Sequence, residues 1–148
     1  MFVCARVIAI MAALYFDGAS RSNPGPSSYG FVILNTRCMP FAVLKEGSAY
    51  IGTATNNVAE YSGLVAGLEA AAAIGVKNLV VYGDSRLIIN QLAGVFKCKQ
   101  PHLQILLKRA KDVIYSGGMR IMCVWIPRAE NEHADRLANK ALDERPLD

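Results

Sequence analysis

Twelve residues separate Phe16 from Tyr29, and they read DGASRSNPGPSS. A segment this short, made of Gly, Pro, Ser, Asn and Asp, cannot carry a crossover helix, so the apolar runs on either side must pair antiparallel. Val7–Phe16 is the first predicted strand and Tyr29–Leu34 the second. A second short turn, Thr36–Pro40, leads to a third strand at Phe41–Thr53, where Gly47 marks an expected bulge. The chain therefore opens as a three-stranded antiparallel meander.

The pattern then changes to alternating helices and strands. A helix is predicted from Thr55, its N-cap, to Ile74, with Gly75 just past its end. Asn78–Tyr82 (NLVVY) reads as a fully buried fourth strand. Helices follow at Ser85–Ala93 and Pro101–Tyr115, then a fifth strand at Met119–Ile126 and a closing helix at Asn131–Asp143 with Asn131 as N-cap. The order βββ, α, β, αα, β, α defines an α/β chain with a five-stranded mixed sheet flanked by helices. Residues 1–148 read as one domain, with 1–10 as an N-terminal extension and Met11 as an alternative start.

Composition excludes several classes. Hydrophobic residues make up 53% and charged residues 19%, which is globular rather than disordered. Cys4, Cys38, Cys98 and Cys123 have no paired spacing, which argues against zinc and against a disulfide framework. They fit reduced thiols in a cytoplasmic protein. No run reaches the ~20 apolar residues of a membrane span, and the apolar start runs directly into Asp17-Gly18, unlike a signal peptide. The net charge of +4 suits a polyanionic partner.

Strand direction then locates four carboxylates. If the first strand runs up, the third, fourth and fifth also run up, because each crossover restores direction. Asp17 ends the first strand and Asp84 follows the fourth. Glu60 and Asp135 lie in the early turns of helices that begin at that same edge, each on a stripe of small apolar residues facing the sheet. All four converge on the carboxyl ends of parallel strands, the usual ligand site of an open α/β sheet. Such a cluster repels itself, and divalent cations with a preference for oxygen relieve the repulsion.

These residues resemble the type I ribonucleases H. Asp17-Gly18-Ala19-Ser20 with Asn23-Pro24-Gly25-Pro26 is similar to the family's opening motif. Thr55-Asn56-Asn57-Val58-Ala59-Glu60 is similar to its Thr-Asn-Asn-x-x-Glu, and Asp84-Ser85 to its Asp-Ser segment. Asn131-Glu132-His133-Ala134-Asp135-Arg136-Leu137-Ala138 is similar to its Asn-x-x-Ala-Asp-x-Leu-Ala. The resemblance spans residues 12–143 and implies a ribonuclease H-like fold. It also implies catalytic and metal-binding roles for Asp17, Glu60, Asp84 and Asp135, holding two Mg²⁺ with Mn²⁺ as substitute. The implied reaction is hydrolysis of the RNA strand of an RNA/DNA hybrid, leaving 5′-phosphate and 3′-hydroxyl ends. The resemblance implies that Asn23, Asn56 and Asn57, with backbone groups near Ser20, contact 2′-hydroxyls, which distinguish RNA from DNA, and that Thr55 lies near a DNA phosphate. Double-stranded RNA is a further expected partner, and the expected state is a monomer.

Two departures stand out. The loop before the last helix is short and lacks the histidine of the best-known bacterial members, which resembles the plant and archaeal-type branch; Arg128 stands there, either to meet a phosphate or as an ordinary surface arginine. The segment Asn90–Leu107 lacks a tryptophan-bearing basic handle, with Lys97 and Lys99 a thin substitute and Lys108, Arg109 and Lys111 a solvated helix face. Hybrid binding is thus expected to be weaker and more sensitive to salt. His133 reads as an exposed helix residue and Trp125 as core. The competing readings are an inactive, nucleic-acid-binding module of the same fold and an exonuclease, which would want Asp-x-Glu where this chain has Asp17 and Ala19.

Overall fold

A computed structural model describes residues 10–37 and 39–147. Cys4, Cys38 and the beginning of the first predicted strand lie outside them. Five strands form one sheet: β1 (Ile10–Ser20), β2 (Gly25–Asn35), β3 (Ala42–Ala54), β4 (Val76–Gly83) and β5 (Arg120–Trp125). Their order across the sheet is β3-β2-β1-β4-β5. The first three pair antiparallel, whereas β4 is parallel to β1 and β5 to β4, as strand parity requires. The helices are α1 (Asn56–Ala73), α2 (Arg86–Leu92), α3 (Pro101–Ser116) and α4 (Glu132–Asp143), with a single 3₁₀ turn at Arg128–Glu130.

Leu64, Leu68 and Ala71 of α1 share a core with Leu14 and Phe16 of β1 and Ile33 of β2. Side chains alternate along a strand, so Ala19 points to the opposite face, where it joins Ala138 and Leu142 of α4. The sheet is thus held between α1 and α4, the two helices that carry Glu60 and Asp135. Both approach closely because of glycine. A Cβ on Gly18 would lie 2.5 Å from the Glu60 nitrogen, and one on Gly30 would lie 2.5 Å from the Ala134 carbonyl oxygen. These two positions set how near the carboxylate-bearing helices come to the strands.

Three local expectations are corrected. The predicted turn after Phe16 is mostly strand: Gly18, Ala19 and Ser20 pair with Tyr29, Ser28 and Ser27, and the turn shrinks to Arg21–Pro24. The serines that signalled a turn are buried strand residues. Ser28 Oγ donates to the Ala138 carbonyl and Ser27 Oγ to the Ala54 carbonyl at 3.0 Å. The expected bulge is not at Gly47, which pairs regularly with Phe31 and leaves room for that ring. The register shifts instead leave Ile51 and Leu44 as the extra residues of β3. Finally, β4 is buried on one face only. Val76, Leu79 and Val81 are enclosed, while Val80 and Tyr82 are half-buried and Tyr82 stacks on Tyr15 with centroids 4.7 Å apart.

Candidate active site

Asp17 lies within β1 and is only 3% exposed, its Oδ1 accepting the Gly18 N–H at 2.9 Å. Glu60 sits early in α1, whose start is fixed by Thr55 Oγ1 accepting the Val58 N–H at 3.3 Å. Asp84 follows β4 directly, and Ser85 caps α2 by accepting the Ile88 N–H at 3.2 Å. Carboxylate oxygens of Asp17, Glu60 and Asp84 all lie within 4.8 Å of one another. Asp135, in the first turn of α4, stands outside that tight triad but lines the same cavity of about 350 Å³. All four predicted acids therefore face one space.

The electrostatics follow from burial and the crowding of like charges. Burial pushes the Asp17 carboxyl up to about 7, and the Asp84 charge adds to the rise. Burial, and then the charge of Asp17, holds Glu60 well above the ordinary carboxylate range. Glu60 Oε2 is fully buried with no hydrogen-bond partner. A buried acceptor left without a donor costs free energy unless a proton or a cation meets it. The donor set is all oxygen and strongly anionic, which fits Mg²⁺ or Mn²⁺ and not a soft metal.

Asn131, expected as a helix cap, makes no capping bond with its side chain. It is 1% exposed, and its Nδ2 donates to Asp84 Oδ2 and to the Phe16 carbonyl, each at 2.9 Å. The side chain thus ties the end of β4 to β1 beside Asp17. Both partners are acceptors, which fixes the amide's orientation. The site asked for a donor between two strands, and nothing in the local Asn-x-x-Ala pattern separates that role from capping.

The proposed substrate contacts divide. Ser20, Asn56 and Arg128 line the carboxylate cavity, and Arg128 reaches Asp135 Oδ1 at 3.8 Å. Asn23, Thr55 and Asn57 do not line it. Asn23 instead accepts the Asn56 N–H at 3.0 Å, joining the β1–β2 turn to the start of α1. Arg21 and Asn139 also line the cavity, although neither stood out in the sequence. His133 is half-buried and bonded to Glu46 of β3 at 2.8 Å. Trp125 is half-buried too; its indole N–H donates to the Asp84 carbonyl at 3.0 Å and the Arg86 guanidinium lies 3.8 Å above its ring. Lys97 and Lys99 line a separate cleft together with Lys108 and Lys111, so the last two share a surface with the first pair. Among the described residues no helix is long and apolar enough to cross a membrane.

A mixed sheet with four carboxylates gathered at the ends of its parallel strands defines an α/β domain with an acidic, all-oxygen cluster that could hold a cation. Residues 15–141 match the family model described as "Reverse transcriptase-like". The chain is 44% identical over 130 residues to a protein named Ribonuclease HI of Halobacterium salinarum, covering 88% of this chain and 63% of that one. It is 46% identical over 127 residues to "Bifunctional protein Rv2228c" of Mycobacterium tuberculosis, covering 86% of this chain and 34% of the relative. It thus spans about a third of the mycobacterial protein and under two thirds of the halobacterial one. The crystal structure of the Halobacterium salinarum RNase H1 superposes with a TM-score of 0.84 at 42% identity, covering 91% of this chain and 99% of that one. A second structure, of LC11-RNase H1 in complex with RNA/DNA hybrid, gives a TM-score of 0.84 at 37% identity, covering 90% and 97%. The chain belongs to the reverse transcriptase-like family, with the type 1 ribonuclease H fold.

Proposed function

We propose that this chain is a ribonuclease H, an endonuclease that hydrolyses the RNA strand of an RNA/DNA hybrid with the help of two Mg²⁺ ions, for which Mn²⁺ can substitute. The observation that carries the reading is the meeting of Asp17, Glu60 and Asp84 within 4.8 Å, with Asp135 on the same cavity, from four distant stretches of chain. A fold needs no such cluster: holding these acids together unpaired is unfavourable, so the arrangement points to cations. Similarity to the LC11 enzyme, solved with RNA/DNA hybrid, supports the choice of substrate.

In this mechanism Asp17, Glu60, Asp84 and Asp135 hold the cations. When bound, a cation pair supplies charge stabilisation for the attacking and leaving oxygens of a phosphodiester. The chain's own residues do the rest. Ser20 and Asn56, on the cavity wall, recognise 2′-hydroxyls. Asn23 braces Asn56 through its backbone N–H, and with Asn57 completes the RNA-facing surface. Thr55, besides capping α1, meets a phosphate of the DNA strand. Arg128, on an exposed 3₁₀ turn at the rim, pairs with a substrate phosphate as its ion pair with Asp135 is released. The products carry 5′-phosphate and 3′-hydroxyl ends.

The test offers labelled RNA/DNA hybrid, double-stranded RNA and double-stranded DNA to the protein with Mg²⁺ or Mn²⁺, beside Asp84→Asn. Cleavage of hybrid RNA by the parent and loss in the variant is expected. Hybrid bound but left intact under both metals would replace the reading with a non-cleaving binding module.

A further inference from the structure

Asp135 is the one acid of the four outside the tight triad, so something must hold its carboxylate toward the cavity. Exposed Arg128 reaches Asp135 Oδ1 at 3.8 Å, and one helical turn further along α4 Asn139 bonds to it more closely. Its Nδ2 donates to Asp135 Oδ1 at 3.1 Å and to the Asp135 carbonyl at 2.9 Å. Its Oδ1 accepts from Arg21 Nη1 at 3.0 Å. The orientation of this amide is dictated by chemistry, because a guanidinium only donates and a carboxylate and carbonyl only accept. The other arm of Arg21 pairs with Asp143, one further turn along α4. Asp135, Asn139 and Asp143 thus form a row at i, i+4 and i+8 on one helix face, capped by a guanidinium from the β1–β2 turn. Arg21 and Asn139 both line the carboxylate cavity, and Arg21 adjoins Ser20 on its wall.

We infer that Asn139 is a positioning residue for Asp135, and that Arg21, anchored by Asp143, fixes Asn139 so that the β1–β2 turn and the fourth carboxylate are held as one unit. The inference deepens the nuclease reading and rests on it. The interposed amide matters for a physical reason. Arg128 reaches the same Oδ1 only at 3.8 Å from a side chain that is mostly in solvent, where its charge is screened; a close, buried arginine would neutralise the charge that a cation needs, whereas a neutral amide orients the carboxylate and leaves its charge in place. The guanidinium is kept one residue back, spending its charge on Asp143. Since Arg21 lies between Ser20 and Asn23, a hybrid that settles on the turn also steadies the ligand across the cavity.

The experiment uses the whole chain and five proteins: parent, Asn139→Ala, Asn139→Asp, Arg21→Ala and the Asn139→Ala/Arg21→Ala double variant. Two quantities are read: hybrid cleavage against Mg²⁺ concentration, with kcat and KM separated, and the rise in Tm caused by Mn²⁺ without substrate. Asn139→Ala is expected to need about tenfold more Mg²⁺ for half-maximal rate and to lose part of the Mn²⁺-induced rise in Tm, with KM at saturating Mg²⁺ near the parent's. Asn139→Asp is expected to be worse than Asn139→Ala, because it sets a second carboxylate against Asp135. Arg21→Ala is expected to shift the Mg²⁺ midpoint in the same direction, and the double variant to be no worse than Asn139→Ala, since the residues act in series. Parent-like Mg²⁺ midpoints in Asn139→Ala and Arg21→Ala, or fully additive effects in the double variant, would overturn the inference. A parent that neither cuts hybrid nor gains stability from cations would overturn the nuclease reading together with it.

Discussion

Replacing Asp17 with asparagine should stabilise the cation-free protein at alkaline pH while abolishing cleavage. The carboxyl is 3% exposed and its pKa lies at about 7 against an ordinary 3.8. The folded state therefore binds a proton that the unfolded chain releases, so stability is full below about pH 4 and falls as pH rises towards and through 7. Such a rise in pKa corresponds to about 4 kcal/mol once both states are ionised. Burial and the charge of Asp17 hold the Glu60 carboxyl high as well, so the two acids share the cost of ionising the site, and a gain on the order of 2–4 kcal/mol is expected for Asp17→Asn at pH 8. Asparagine keeps the size and can still accept the Gly18 N–H, and its own amide donates to the neighbouring carboxylates. For a chain of this length the gain corresponds to roughly 5–15 °C in Tm. The assay is urea unfolding in chelator, followed by circular dichroism and by the fluorescence of Trp125, the chain's single tryptophan. At pH 4.5 parent and variant should nearly coincide; at pH 8 the variant should be the more stable. Equal stability at pH 8, or an equally large gap at pH 4.5, would refute the reasoning that buried charge dominates the site.

The same linkage expects saturating Mg²⁺ to raise the parent's Tm more at pH 8 than at pH 5, where protons compete for the carboxylates; calorimetric scans at both values check it. Asn131→Ala should cost about 1–3 kcal/mol in urea unfolding, because the Phe16 carbonyl and Asp84 Oδ2 lose their shared donor. Gly30→Ala places a methyl 2.5 Å from the Ala134 carbonyl oxygen and must displace α4. It should lower kcat by up to about a hundredfold, far more than it weakens hybrid binding measured in Ca²⁺. Lys97→Ala and Lys108→Ala should each reduce the slope of log affinity for hybrid against log salt by about one, which fluorescence anisotropy across a salt series reads directly.

The opening meander, the strand directions and the shared edge of the four acids were legible because each rests on a non-local rule with few exceptions. Short connections force antiparallel pairing, crossovers restore direction, and parity then puts Asp17, Glu60, Asp84 and Asp135 at one edge. What was illegible depended on hydrogen bonds made across the fold. Ser27 and Ser28 look like turn residues until the Ala54 and Ala138 carbonyls that accept from them are in place. Asn131 carries the same local signal whether it caps a helix or clamps Asp84. Arg21 and Asn139 are 118 positions apart, and no periodicity links a turn to a helix at that separation.

Two asparagines, Asn131 and Asn139, divide the problem of holding anions together. A cluster of acids cannot be fixed by cationic side chains, which would compete with the metal, and it cannot be fixed by apolar packing, which raises each acid's cost of ionisation. Neutral amides avoid both penalties. Asn131 holds Asp84 from within the core, at 1% exposure, where an ionic partner would be costly. Asn139 holds Asp135 at the rim, where Arg21 can steady the amide without touching the carboxylate. Exchanging the chemistry should therefore be worse than deleting it: Asn131→Asp puts a second carboxylate against Asp84 and a further acceptor against the Phe16 carbonyl. It should weaken Mg²⁺ binding, measured by titration calorimetry, more than Asn131→Ala does. If Asn131→Ala instead bound Mg²⁺ as weakly as Asn131→Asp, the side chain's shape rather than its neutrality would be what the site requires.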